Sequence, residues 1–248
     1  MTDHAVLVPT SEGPVGGIVS EPPGELRAGL VLLAGYGRPA RSGVNAFWAH
    51  LARDLAARGL AVLRVDYARE GETLPIGEGG SGQAWKRDLD LRLLVQVLPW
   101  FAARLGAAEL FLAGSCAGAR AAIELAGREL PGAIARIFLV VPHLRVLEGS
   151  LGAGDVEGSA GADPGAVDPA IVECLQRILY RAPSWILVGE YDTPDAPLLQ
   201  RLLGPTRHRL DLDVVPGRAI HMLDQPDIQA EARHRLLTVV EQALPAYR

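Results

Sequence analysis

A chain of 248 residues, 49% of them hydrophobic, can fill one large core and needs no second domain. Its net charge of -5, with basic residues scattered among acidic ones, lacks the basic stripe of a nucleic-acid binder. No apolar run reaches the ~18 residues of a membrane-spanning helix, and the start, Met1 to Ala5, lacks the basic and apolar regions of a secretion signal, so a cytoplasmic protein with no membrane span is expected.

Apolar runs bounded by turn residues predict eight strands, at about 5–8, 15–19, 29–34, 60–66, 109–113, 136–141, 184–189 and 209–215. Ser11 to Pro14 separates the first two, as in an antiparallel hairpin at one edge. From the third strand on, strands alternate with helical patterns at 47–58, 85–105 with a kink at Pro99, 117–126, 195–203 and 229–244. Such alternation implies crossover units, and so an α/β architecture with a mostly parallel eight-stranded sheet and helices on both faces. One interval interrupts the rhythm. Residues 149–168 are rich in Gly, Ala, Asp and Ser, and an amphipathic stretch at 169–180 carries Ile171, Leu175, Ile178 and Leu179 on one face. The expectation is a single domain, 1–248, with a small lid insertion at about 143–183.

The chemistry-bearing motif is Gly114-Ser115-Cys116-Ala117-Gly118, set between the fifth strand and the next helix. A strand that turns at once into a helix through small residues presents its central side chain at the helix N-terminus, as a nucleophile elbow does. Glycine two positions before and after suits such a turn, because a Cβ there would collide with the neighbouring strand or helix. The helix dipole and free first-turn N–H groups favour a thiolate at Cys116. Ser115 is the alternative nucleophile, in a register that starts the helix one residue earlier and puts alanine where glycine serves better. Cys174, in the amphipathic stretch, reads as packing, and both thiols are expected to stay reduced.

Reactive groups in a parallel sheet gather at the carboxyl ends of strands. Asp192 follows the seventh strand and His221 the eighth. A thiol nucleophile needs a base, and that imidazole needs a carboxylate to set its tautomer. Cys116, Asp192 and His221 supply nucleophile, acid and histidine in that order. Asp192 also fits as a helix cap, with Asp195 in a shifted register or Glu190 as alternative acids. Backbone N–H groups of Tyr36, in the turn 33–37, and of Ala117 are the expected oxyanion donors. Tyr36, Ser115, His143 and Arg120 are candidate substrate contacts, with Arg38 and Arg41 in the same loop as Tyr36. Solvated or ion-paired arginine is the favoured reading of all three arginines, with a substrate carboxylate or phosphate as the other. No Cys/His cluster has zinc spacing, and no metal or other cofactor is expected.

In its order of elements and motifs the chain resembles the α/β-hydrolase superfamily over nearly its full length. Cysteine at the elbow is similar to dienelactone hydrolases and some thioesterases. The stretches 47–56, 62–67 and 114–120 resemble small bacterial hydrolases found with exosortase or natural-product gene sets. Two departures stand out: Ala34 occupies the place of the histidine in an H-G-x-G turn, and Ala68 to Thr73 replaces the usual G-x-G-x-S. The resemblance implies a cofactor-independent hydrolase of an ester, thioester or lactone acting through a Cys116 acyl-enzyme, its small-molecule acyl substrate carried free, on CoA or on a carrier protein. The alternatives are acyl transfer to an amine or hydroxyl, non-hydrolytic lyase or cyclase chemistry with His221 as base, and a catalytically silent ligand-binding module.

Overall fold

The computed structural model describes residues 2–35, 41–68, 73, 83–106, 108–128, 134–145, 166–192, 199, 210–220 and 223–245. All eight expected strands are present: β1 (Thr2–Val8), β2 (Val15–Glu21), β3 (Ala28–Leu33), β4 (Leu60–Val65), β5 (Glu109–Cys116), β6 (Ile134–Pro142), β7 (Ser184–Gly189) and β8 (Leu210–Val215). Between and after them run α1 (Phe47–Ala56), α2 (Gln83–Leu105), α3 (Ala117–Ala126), α4 (Pro169–Arg181) and α5 (Pro226–Ala243). Helix α2 continues through Pro99. The helix expected at 195–203 lies outside the described residues, Leu199 apart.

The strands form one sheet in the order β1-β2-β4-β3-β5-β6-β7-β8. Strands β3 to β8 pair in parallel, whereas β2 is antiparallel to both β1 and β4, so the sheet is mixed at one edge. The central strands are apolar on both faces because both are covered by helices. Val31, Leu33, Leu112, Leu139 and Ile186 point into the core shared with α2, α3 and α4. Their neighbours Leu30, Leu32, Phe111, Val140 and Leu187 point into the core under α1 and α5. This period of two, read on the four adjacent strands β3, β5, β6 and β7, sets the register.

The order reverses at β3. The chain passes from β3 through α1 to β4 on one side, then crosses to β5 on the other. The carboxyl ends of β3 and β5 therefore flank a topological switch point, where α/β sheets open a crevice.

Helix α4, expected as the ordered part of a lid, belongs instead to a helical layer. Ile171, Leu175, Ile178 and Leu179 are buried in the core on the α3 side, and α4 packs on α3. The two helices meet closely at Gly127, where a Cβ would be in ordinary contact with Cys174 Sγ at 3.4 Å. Among the described residues no lid covers the sheet, and of the expected insertion only its two ends and α4 are described. No described helix is long and apolar enough to cross a membrane.

Candidate active site

Strand β5 ends on Cys116 and α3 begins on the next residue. Cys116 has φ 49° and ψ -118°, a conformation that costs a non-glycine residue about 1–3 kcal/mol. The strain persists because the packing on either side admits no other path. A Cβ on Gly118 would lie 2.0 Å from the Leu33 carbonyl oxygen, and one on Gly114 would lie 2.6 Å from the Gly118 carbonyl. Gly118→Ala is therefore expected to lower stability by roughly 3 kcal/mol or more, measured by denaturant unfolding. Gly24→Ala, where a Cβ would meet nothing within 4 Å, is the control and should change it by less than about 0.5 kcal/mol.

The residue at the elbow is Cys116. Ser115 still belongs to β5, is 6% exposed, and its Oγ accepts a hydrogen bond from the Gly35 N–H at 3.3 Å. That bond gives Ser115 a structural task in holding the turn after β3 beside Cys116. Gly35 is the other half of the fit: a Cβ there would lie 3.3 Å from Cys116 Cβ. The Tyr67 hydroxyl donates to the Ala34 carbonyl at 2.5 Å, pinning the same turn from β4's exit. Farther along, Arg41 Nη1 bonds the buried Asp66 carboxylate at 2.7 Å. Arg41 is thus ion-paired. Tyr36 and Arg38 lie outside the described residues. Ala117 is the first residue of α3, where a backbone N–H has no intrahelical acceptor.

The loops after β7 and β8 are stitched together. The Glu190 N–H donates to the Val215 carbonyl at 2.9 Å and the Tyr191 N–H to the Arg218 carbonyl at 2.8 Å. Asp192, 7% exposed, accepts from the Gly189 N–H at 2.7 Å and, through both carboxylate oxygens, from the Ile220 N–H at 3.1 Å. Gly189 is needed for this approach, because a Cβ there would lie 2.4 Å from the Arg218 carbonyl oxygen and 2.8 Å from Asp192 Oδ2. Ile220 directly precedes His221 in the chain. His221 and the alternative acid Asp195 lie outside the described residues. Glu190 is exposed and accepts from the Gly217 N–H at 2.7 Å.

His143 stands at the same rim. Strand β6 pairs Pro142 with Cys116, and the His143 N–H donates to the Cys116 carbonyl at 3.2 Å. The chain reaches that position through Val141 at φ 43°, a strained conformation for a β-branched residue. Arg120, expected as a substrate contact, is 2% exposed and bonds Glu124, the Arg145 carbonyl and Asp168. Cys174 is free but half-buried, and burial pushes its thiol up.

Sequence reasoning missed the supports of this rim. Asp90 on α2 is buried and accepts from the Ala68 N–H at 2.7 Å, holding the chain where it leaves β4. Its signal was available: an aspartate enclosed by Leu89, Leu91, Leu93 and Leu94 must find a donor. Asp168 carried no comparable signal, because it sits in a Gly- and Asp-rich stretch.

No family model and no curated protein matches the chain. Solved structures do match it over nearly its whole length. A dienelactone hydrolase from Anabaena variabilis is 17% identical, with 98% of this chain and 99% of that one covered and a TM-score of 0.70. A thermostable carboxyl esterase from Bacillus coagulans is 14% identical, with 98% and 99% covered and a TM-score of 0.71. A serine hydrolase without a lid from Xanthomonas campestris is 18% identical, with 99% and 97% covered and a TM-score of 0.63. The chain has the α/β-hydrolase fold. Where one of these proteins is described as a serine hydrolase, this chain carries cysteine at its own elbow.

Proposed function

We propose that this protein is a hydrolase that cleaves an ester, thioester or lactone through a thioester formed on Cys116. The observation that carries the reading is the joining of two features: Cys116 in strained backbone at the start of α3, and a buried Asp192 carboxylate bonded to the N–H of the residue before His221. The names of the similar structures, an esterase and a dienelactone hydrolase among them, support the hydrolase class.

In this mechanism His221 takes the Cys116 proton, and the thiolate attacks the substrate carbonyl. The oxyanion is stabilised by N–H groups of Ala117 and Tyr36. His221 then protonates the departing alcohol or thiol, leaving an acyl group on Sγ. Water, deprotonated by His221, attacks that thioester; the acid leaves and the thiol is regenerated. Asp192 holds the imidazole in the tautomer that both half-reactions need. Tyr36 and His143 contact the acyl substrate, which is free or carried as a CoA or carrier-protein thioester.

The test is intact-protein mass within seconds of mixing with p-nitrophenyl acetate, followed by peptide mapping. The expected result is one acetyl group on the peptide containing Cys116, decaying as water takes it. An adduct on Ser115 instead, or none at all, would overturn the cysteine mechanism.

A further inference from the structure

A guanidinium that is almost wholly buried has to bond its fixed fork of donors to acceptors nearby. Arg120 does so with three partners from three segments. Its Nε–H goes to Glu124 one turn along α3 at 3.1 Å, one Nη–H to the Arg145 carbonyl at 2.6 Å, and the other to the Asp168 carboxylate. Two carboxylates against one cation leave the cluster without positive charge to offer an anionic substrate or a thiolate. What it does offer is a fixed point.

The two distant partners belong to one small structure. Arg145 and Val167 form an antiparallel bridge, and the Asp168 N–H donates to the Leu144 carbonyl at 2.8 Å. Residues 144–145 and 167–168 thus form a two-stranded stem just beyond β6. Asp168 also caps α4, accepting from the Ala170 N–H at 3.0 Å, so one carboxylate joins the stem, α4 and α3. On its near side the stem continues from His143, whose N–H bonds the Cys116 carbonyl. The stem is therefore fastened to the nucleophile helix twice: at Cys116 through His143, and one turn later through Arg120.

We propose that Arg120 is a positioning residue: by clasping the Arg145 carbonyl and Asp168 it holds the stem against α3, and so keeps His143 beside Cys116 in contact with the substrate. Only the substrate contact of His143 rests on the function proposed above. The holding of the stem stands apart from it.

The variants are Arg120→Lys, which keeps the charge but gives up the fork, and Asp168→Asn, which keeps the cap on Ala170 but loses the ion pair. Hydrogen exchange is read first, on the peptide spanning 141–145. Its exchange is expected to quicken about tenfold or more in both variants, with β3 and β7 unchanged. Unchanged exchange in that peptide, or faster exchange across the whole sheet, would overturn the proposal. Acetylation of Cys116 by p-nitrophenyl acetate is then compared in wild type, Arg120→Lys, His143→Ala and the double variant. Each single change is expected to slow it about tenfold, as small misplacements at reacting groups do, and the double variant by little more than the larger single effect. Effects that multiply to about a hundredfold would show that Arg120 does not act through His143, and would overturn that part. A wild-type protein that is never acetylated on Cys116 sinks the proposed function instead, and the exchange experiment still decides whether Arg120 holds the stem.

Discussion

Cys116→Ala is expected to lower kcat/KM for p-nitrophenyl acetate by at least about 10,000-fold while leaving the fold intact. The size follows from what is lost. In the proposed mechanism no acyl-enzyme forms without Sγ, and what remains would supply only the residual catalysis seen when a nucleophile is removed from a catalytic triad. The fold should survive because alanine is smaller than cysteine and meets the same φ of 49° at no greater cost, so the melting temperature should stay within a few degrees of wild type. Cys116→Ser separates chemistry from space. Serine fits the elbow and keeps a nucleophilic atom, so partial activity with the adduct now on an oxygen ester is the expected outcome. An alanine variant within tenfold of wild type would remove Cys116 from the mechanism.

Asp192 provides the second large effect, and here two roles can be pulled apart. Asp192→Ala leaves the buried N–H groups of Gly189 and Ile220 without this acceptor, a loss of about 1–3 kcal/mol in stability. On the proposed mechanism activity should fall by about 1,000- to 10,000-fold as well, because an imidazole without its orienting carboxylate loses the productive tautomer. Asp192→Asn retains one oxygen that can accept from Ile220 or Gly189, so most of the stability should return. The activity should not, since an amide cannot stabilise the imidazolium. Denaturant unfolding and steady-state hydrolysis on the same three proteins check both halves. Full activity in the asparagine variant would pass the acid role to Glu190 or Asp195, and Glu190 is the less suited of the two, being exposed and tied to Gly217.

The inner strands were legible because they are short apolar runs closed by turn residues, and covering a sheet on both faces demands such runs, whereas the edge strands β1 and β8 are less buried and more polar. The elbow was legible for a steric reason. Gly114 and Gly118 stand where a Cβ would meet backbone, and backbone clashes depend on local geometry that a five-residue motif carries. The amphipathic face of α4 was equally plain, but its partner was not. Ile171 and Leu175 call for an apolar surface, and nothing local says whether that surface is a substrate cleft or the side of α3. The same limit governs Arg120. An arginine one turn past Cys116 fits a substrate anion as well as an ion pair, and of the two carboxylates it binds, Asp168 is 48 residues away.

Sequence alone thus determined the strands and the strained turn at Cys116, because backbone sterics and apolar periodicity act over a few residues. Tertiary structure decided that β3 lies between β4 and β5, that Ser115 supports a turn, that α4 joins the core and that Arg120 fastens a stem. Those outcomes rest on which buried donor meets which distant acceptor, and burial brings together groups whose separation along the chain carries no trace of the contact.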